Sequence, residues 1–115
     1  RLLSGDVHPM GKERILNLAE KFYERGVYPA GTARQLAAVI DSGSRKPDLA
    51  SIRVPSLVIH GDADPLVPVE GGIDTANSIP DANLKIIRGM GHALSESLWQ
   101  EIIGAVAEHA QCTQK

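Results

Sequence analysis

The sequence predicts an α/β fold with parallel strands, and three observations support this prediction. Residues 57–59 form a short apolar run rich in β-branched side chains without polar alternation, which is typical of a strand covered on both faces. A second such run, LKIIR, occupies residues 84–88, and residues 68–78 between them carry apolar side chains at helical spacing. A strand, a helix and a strand in this order form a right-handed crossover with parallel pairing.

Three further helices are predicted around this unit. Residues 11–25 place apolar side chains at i, i+3, i+4 and i+7, which is one face of a helix. A second helix is predicted to begin at Thr32, which can form a capping box with Gln35, and a last helix to begin near Ser97. Residues 41–47 have the composition of an exposed loop.

Two strands make an unusually small parallel sheet, because such sheets are normally larger and covered on both faces. An open strand edge is usually covered or paired with another chain. The sequence is therefore predicted to form one end of a larger sheet, or to pair through this edge with a second copy as a homodimer.

Composition narrows the classes of function. The chain has 115 residues with a net charge of −2 and only 3% aromatic residues, which argues against binding to nucleic acid or to an anionic membrane. It contains no apolar run long enough for a transmembrane helix. Cys112 is the only cysteine, which favours a reducing, cytoplasmic setting. The chain begins at Arg1 without an initiator methionine, so we expect that upstream sequence precedes it.

Polar side chains follow both predicted strands at the edge where parallel sheets form their sites. His60, Asp62 and Asp64 come after the first strand, and His92 follows the second strand after a Gly-Met-Gly turn. A carboxylate in one loop can accept a hydrogen bond from an imidazole in the other, which fixes the tautomer and supports the protonated ring. The pairing of Asp64 with His92 would therefore form two-thirds of a catalytic triad.

The stretches LVIHGDADPLVP and IIRGMGHALSESLW together resemble the C-terminal portion of the α/β-hydrolase fold. They are most similar to esterase, lactonase and perhydrolase-like members with an HGxxD acid loop and a GxGH histidine loop. The resemblance covers residues 49–110 well. It implies that Asp64 is the triad acid, that His92 is the base, that no cofactor is needed, and that the substrate is a small ester-like molecule.

The chain departs from that family in one respect. The family's nucleophile lies in a G-x-S-x-G elbow upstream of the acid, and this motif does not occur in the 115 residues. We therefore expect a C-terminal fragment of a hydrolase, with residues 1–48 as the helical end of the cap and residues 49–115 as the βαβα part of the core. Such a chain alone would be inactive. The alternative is a non-catalytic module that self-associates through its open strand edge.

Each candidate residue also has a structural interpretation. Asp62 is expected to stabilise its own turn, Asp64 could be a turn former before Pro65, and His60 is expected to be a hydrogen-bonded structural histidine. A metal site built from these side chains and His92 matches no known zinc or calcium spacing. A phosphate-binding loop is not predicted either, because G-x-G-x-x-G is missing.

Overall fold

The computed structural model describes residues 3–112 and contains a two-stranded parallel sheet with helices around it. Within this range the elements, in chain order, are α1 (Lys12–Glu24), α2 (Pro29–Ser42), α3 (Lys46–Leu49), β1 (Leu57–Gly61), α4 (Val69–Ser78), β2 (Asn83–Ile87), a 3-10 turn (Glu96–Leu98) and α5 (Trp99–Cys112).

The sheet has the predicted parallel arrangement, with His60 opposite Ile86 and Gly61 opposite Ile87. Helix α4 forms the crossover between the strands and packs against both of them. The buried core lies under the carboxyl end of the sheet. Its buried members are Ile87 of β2, Met90 in the loop after β2 and Leu98 of the 3-10 turn. The partly buried side chains of Ile59 in β1 and Ile102 in α5 pack against them. The core therefore supports the two loops that follow the strands.

The start of the second helix was predicted wrongly. Helix α2 begins at Pro29, three residues before Thr32, and no side chain caps its first turn. Proline suits the first helical position because its fixed φ fits the helix and its missing N–H would have no partner there. The predicted loop at residues 41–47 is also interrupted, because α2 continues to Ser42 and α3 begins at Lys46.

The last helix begins later than predicted. Helix α5 starts at Trp99, after a 3-10 turn, and Ser97 caps neither element. The Ser97 hydroxyl instead lies 3.3 Å from Nδ1 of His8, a residue near the start of the chain. A long-range contact of this kind leaves no local pattern in the sequence, so the capping signal was misleading.

The two N-terminal helices leave their apolar side chains exposed. Neither α1 nor α2 contains a buried residue, and both expose large apolar side chains, which include Leu16, Phe22, Leu36, Val39 and Ile40. Within residues 3–112, no helix is both long and apolar enough to cross a membrane.

Candidate active site

Two loops at the carboxyl edge of the sheet form the candidate site. We name residues 62–68, after β1, the acid loop, and residues 88–95, after β2, the histidine loop. The backbone N–H of Asp62 donates to the Ile87 carbonyl at 3.3 Å, and that of Ala63 donates to the Met90 carbonyl at 3.1 Å. These bonds continue beyond the sheet, so the strand pairing extends into both loops and holds them side by side.

The carboxylate of Asp64 uses its two oxygens for different partners. Oδ1 accepts the backbone N–H groups of Leu66 at 2.8 Å and Val67 at 3.0 Å, which closes the turn of the acid loop. Oδ2 accepts a hydrogen bond from Nδ1 of His92 at 2.9 Å. The two interpretations of Asp64, turn former and partner of His92, therefore describe one side chain that does both.

These contacts change the pKa of Asp64. The side chain is only 6% exposed. Burial by itself raises the pKa of the carboxyl, but the hydrogen bonds from the Val67 N–H, His92 and the Leu66 N–H outweigh it and lower the pKa from 3.8 to about 2. Asp64 is therefore ionised under ordinary conditions, and its side chain can only accept hydrogen bonds.

The ionised carboxylate determines the tautomer of His92. Because Asp64 cannot donate, the proton of the 2.9 Å hydrogen bond belongs to Nδ1 of His92. Nε2 of a neutral ring then carries a lone pair and can accept a proton. The His92 side chain is 42% exposed, so this nitrogen can reach a partner outside the loop. The geometry is that of an oriented general base.

Asp62 connects the two loops. Its Oδ1 accepts the backbone N–H of Gly89 at 2.6 Å, across 27 positions of sequence. Gly89 is buried and has a φ of +73°, a conformation that glycine adopts without strain. The prediction that Asp62 stabilises only its own turn was therefore wrong, because its partner belongs to the histidine loop.

His60 lies beneath the acid loop as a hydrogen-bonded residue. Its Nε2 donates to the Val67 carbonyl at 3.0 Å, and its side chain is 15% exposed. The same nitrogen is 3.9 Å from Oδ2 of Asp64, too far for a hydrogen bond. The ring packs on Gly72 of α4, where an added Cβ would come within 2.7 Å of it. His60 thus holds the backbone of the turn that presents Asp64.

The N-terminal segment, residues 3–10, lies across the histidine loop and was not predicted to do so. The Leu3 carbonyl accepts the Ala93 N–H at 2.7 Å, and the hydroxyl of Ser95 donates to the His8 carbonyl. An added Cβ at Gly91 would lie 2.5 Å from the Leu3 carbonyl oxygen, so this packing depends on glycine. Residues 3–10 show no periodicity, and only their glycine and proline content hinted at a fixed turn.

The described residues form neither a metal site nor a serine–His92 pair. In the part of the chain that the structure describes, no three histidine, cysteine, aspartate or glutamate side chains are grouped to hold a metal ion. The upstream serines Ser42 and Ser51 direct their hydroxyls to backbone carbonyls of Val39 and Asp48. Across residues 3–112, no serine hydroxyl is hydrogen-bonded to His92.

Comparison with known proteins gives a consistent assignment. A family model described as the alpha/beta hydrolase fold matches residues 2–97. The chain is 35% identical over 89 residues to a monoacylglycerol lipase of Mycolicibacterium smegmatis, which covers 74% of this chain and 30% of that protein. It is 29% identical over 118 residues to the rhodomycin D methylesterase DnrP of Streptomyces peucetius, covering 96% of this chain and 37% of that protein.

A third relative matches a shorter part of the chain. The non-heme chloroperoxidase CPO-A1 of Kitasatospora aureofaciens is 41% identical over 49 residues, which is 42% of this chain and 18% of that protein. The chain thus spans between 18% and 37% of the length of these three relatives. Since the family model covers most of the chain, the predicted fold class is confirmed, and the chain belongs to the alpha/beta hydrolase fold family.

Proposed function

We propose that this chain carries the acid and the base of a hydrolase that acts on esters, lactones or related acyl compounds. The observation that carries the proposal is the hydrogen bond from Nδ1 of His92 to the nearly buried, ionised Asp64. The relatives named as a lipase and methylesterases support an ester substrate.

The proposed mechanism assigns each residue one role. Nε2 of His92 takes the proton of a nucleophile as that group attacks the acyl carbon, and gives this proton to the alcohol oxygen as the ester C–O bond breaks. The neutral ring then takes a proton from the water that attacks the acyl-enzyme, and returns it to the nucleophile as the acid is released. Asp64 holds the ring in the required tautomer and stabilises the imidazolium that forms. Asp62 and His60 position the two loops without contacting the substrate.

We further propose that the nucleophile is supplied by sequence outside these 115 residues. The G-x-S-x-G motif is missing from the sequence, and the chain matches only a minor part of each relative. On this proposal, residues 1–48 belong to the cap region and residues 49–115 to the hydrolase core. The boundary between residues 48 and 49 lies inside helix α3, so the boundary between the two parts is better placed after Leu49, where this helix ends.

The test uses the 115-residue chain and the product of its complete natural coding sequence. The chain alone should not hydrolyse p-nitrophenyl esters appreciably. The complete protein should hydrolyse them, and His92→Gln or Asp64→Asn should lower kcat by about 10³–10⁴-fold. Asn77→Asp, an exposed change on α4, serves as the control and should leave kcat unchanged. Robust turnover by the chain alone, or full activity of His92→Gln, would contradict the proposal.

The second candidate function is self-association through the sheet. In the described residues β1 pairs with β2 on one side only, so its other edge has no strand beside it. A second copy could add its strand there and form a homodimer with a continuous sheet. Sedimentation equilibrium over a hundredfold range of concentration distinguishes the two states: a monomer throughout would remove this candidate.

A further inference from the structure

His8 contacts both ends of the histidine loop. Nε2 of its ring lies 3.2 Å from the carbonyl oxygen of Arg88, the first residue of the loop. Its backbone carbonyl accepts a hydrogen bond from the hydroxyl of Ser95, the last residue of the loop. Nδ1 of the ring lies 3.3 Å from Oγ of Ser97, two residues further along the chain. One residue of the N-terminal segment therefore joins the start of the loop to its end.

The partners of the His8 ring determine how each nitrogen is bound. A backbone carbonyl can only accept, so Nε2 carries a proton and donates to the Arg88 carbonyl. A hydroxyl can donate or accept, so Ser97 donates to Nδ1 of a neutral ring and accepts from Nδ1 of a protonated one. Both ring nitrogens therefore keep a partner in either charge state of the ring.

The backbone of the N-terminal segment also packs on the middle of the loop. An added Cβ at Gly89 would lie 2.6 Å from Cβ of Val7, so the two chains are in close contact there. The N–H of Ala93, the residue after His92, donates to the Leu3 carbonyl at 2.7 Å. The loop is thus held at both ends and in the middle by a single segment.

His92 depends on this loop for its position. Across residues 3–112, the side-chain hydrogen bond that holds its ring is the one from Nδ1 to Oδ2 of Asp64 at 2.9 Å, and the side chain is 42% exposed. A displacement of the loop backbone would therefore lengthen this bond directly and change the direction of Nε2. Proton transfer is sensitive to such displacements, because the reacting groups must be held in a narrow range of geometries.

We propose that His8 is a positioning residue for His92, which keeps Nδ1 of His92 within hydrogen-bond distance of Asp64 by joining the two ends of the histidine loop. His8 neither contacts the substrate nor transfers a proton. The inference deepens the proposed function and rests on it for the effect on catalysis. The effect on the tautomer of His92 does not depend on the proposed function.

The first test measures the tautomer of His92 in the 115-residue chain. His8→Phe keeps an aromatic ring and removes both ring hydrogen bonds, whereas His8→Gln keeps a donor for the Arg88 carbonyl. Long-range ¹H–¹⁵N NMR at about pH 9, where an ordinary histidine is neutral, should show the Nδ1–H tautomer in the natural chain and a mixture of both tautomers in His8→Phe. His8→Gln should restore most of the Nδ1–H population. An unchanged tautomer in His8→Phe would overturn the inference.

His109 provides a matched control for the same substitution. It lines a small cavity together with Leu57 and Asn83, the first residues of β1 and β2, so it lies at the sheet edge opposite the candidate site. His109→Phe should leave the tautomer of His92 as it is in the natural chain. Equal changes in His109→Phe and His8→Phe would reveal a general response of the fold and would overturn the inference.

Ser97→Ala keeps the inference testable if His8→Phe does not fold. The Ser97 side chain is exposed, so its loss leaves the core intact, and it removes one of the two partners of the His8 ring. This variant should change the tautomer of His92 in the same direction as His8→Phe, by a smaller amount. A tautomer that is the same in Ser97→Ala as in the natural chain would count against the role of His8.

The second test measures hydrolysis of p-nitrophenyl esters by the complete protein. His8→Phe should lower kcat about tenfold and change KM by less than about twofold, because it disturbs the base and not substrate binding. His8→Gln should recover most of the lost kcat, and His109→Phe should leave it unchanged. A change in KM alone, or a His8→Gln variant no better than His8→Phe, would contradict the inference.

The two tests separate this inference from the proposed function. If the complete protein does not hydrolyse esters, the hydrolase proposal fails, and the tautomer of His92 still decides whether His8 positions it. If the complete protein is active and His8→Phe changes neither kcat nor the tautomer, the hydrolase proposal stands and the role of His8 is disproved.

Discussion

The two site loops and the two N-terminal helices are stabilised in opposite ways. The acid and histidine loops have no regular secondary structure, yet their backbone and carboxylate groups are paired across the sheet edge and over a buried core. Helices α1 and α2 satisfy their own backbones but bury no side chain. The two loops, although irregular, are therefore more tightly constrained by tertiary contacts than helices α1 and α2.

The comparison has a functional consequence. An acid and a base need a separation fixed to a few tenths of an ångström, and backbone hydrogen bonds with close glycine contacts provide that precision. The apolar side chains of α1 and α2 are exposed, and such surface contributes to stability only where another surface covers it. On the proposed function, the constrained loops are therefore the part of the molecule that fixes the acid and the base.

The largest expected effect concerns glycine in the two regions. An added Cβ at Gly61, the last residue of β1, would lie 2.0 Å from the Met90 carbonyl oxygen, a backbone atom that cannot move alone. Gly61→Ala should lower the free energy of unfolding by about 3 kcal/mol or more. At Gly31 in α2 a Cβ makes only ordinary contacts, the nearest at 3.6 Å. Gly31→Ala should raise the free energy of unfolding by about 0.5 kcal/mol.

Urea denaturation of both variants measures these changes. Opposite signs for Gly61→Ala and Gly31→Ala support the distinction between a constrained loop region and open helices. If the two substitutions had equal effects, the close approach of Gly61 to the histidine loop would not exist in solution.

The next effect concerns the connection between the loops. Asp62→Ala leaves the buried N–H of Gly89 without its acceptor, and we expect a loss of about 2 kcal/mol of stability. Asp62→Asn keeps an acceptor oxygen, so its loss of stability should be less than half of the loss in Asp62→Ala. Equilibrium unfolding and amide exchange at Gly89 check the prediction, and equal losses in the two variants would argue against this hydrogen bond.

The pKa of Asp64 predicts a pH dependence of stability. Because the pKa in the folded protein, about 2, lies below the ordinary 3.8, ionised Asp64 stabilises the fold above about pH 4, and the contribution is lost as the pH falls through about 2. The difference in unfolding free energy between the natural chain and Asp64→Asn should therefore shrink from pH 5 to pH 2. A difference that does not change with pH would contradict the lowered pKa.

The smallest effect is expected at a surface ion pair. Nζ of Lys46 lies 2.6 Å from Oδ1 of Asp74, but both side chains are more than half exposed. Water and salt screen such pairs, so Lys46→Gln should change stability by no more than about 0.5 kcal/mol. Thermal unfolding at low and high salt checks this, and a loss comparable to that of Asp62→Ala would show that exposure does not distinguish the two contacts.

Local patterns predicted the parts of the fold that depend on local chemistry. The apolar runs identified β1 and β2, and residues 68–78 were correctly assigned to the crossover helix. The proximity of Asp64 and His92 also followed, because parallel strands bring their carboxyl-end loops together.

What the sequence did not predict depends on contacts distant in sequence. Asp62 and Ser97 each had a plausible local role, as a turn former and a helix cap, but their partners are Gly89 and His8. The path of residues 3–10 could not be inferred for the same reason. The start of α2 was missed because the prediction rested on the capping motif at Thr32 alone, whereas the helix begins at Pro29.

The central claim is that Asp64 fixes the tautomer of His92, and long-range ¹H–¹⁵N NMR of the histidine ring tests it most directly. At about pH 9, where an ordinary histidine is neutral, the spectrum should show the proton on Nδ1 and a free Nε2. Asp64→Asn should shift the population toward the Nε2–H tautomer. A natural chain with the proton on Nε2, or a tautomer unaffected by Asp64→Asn, would contradict the claim.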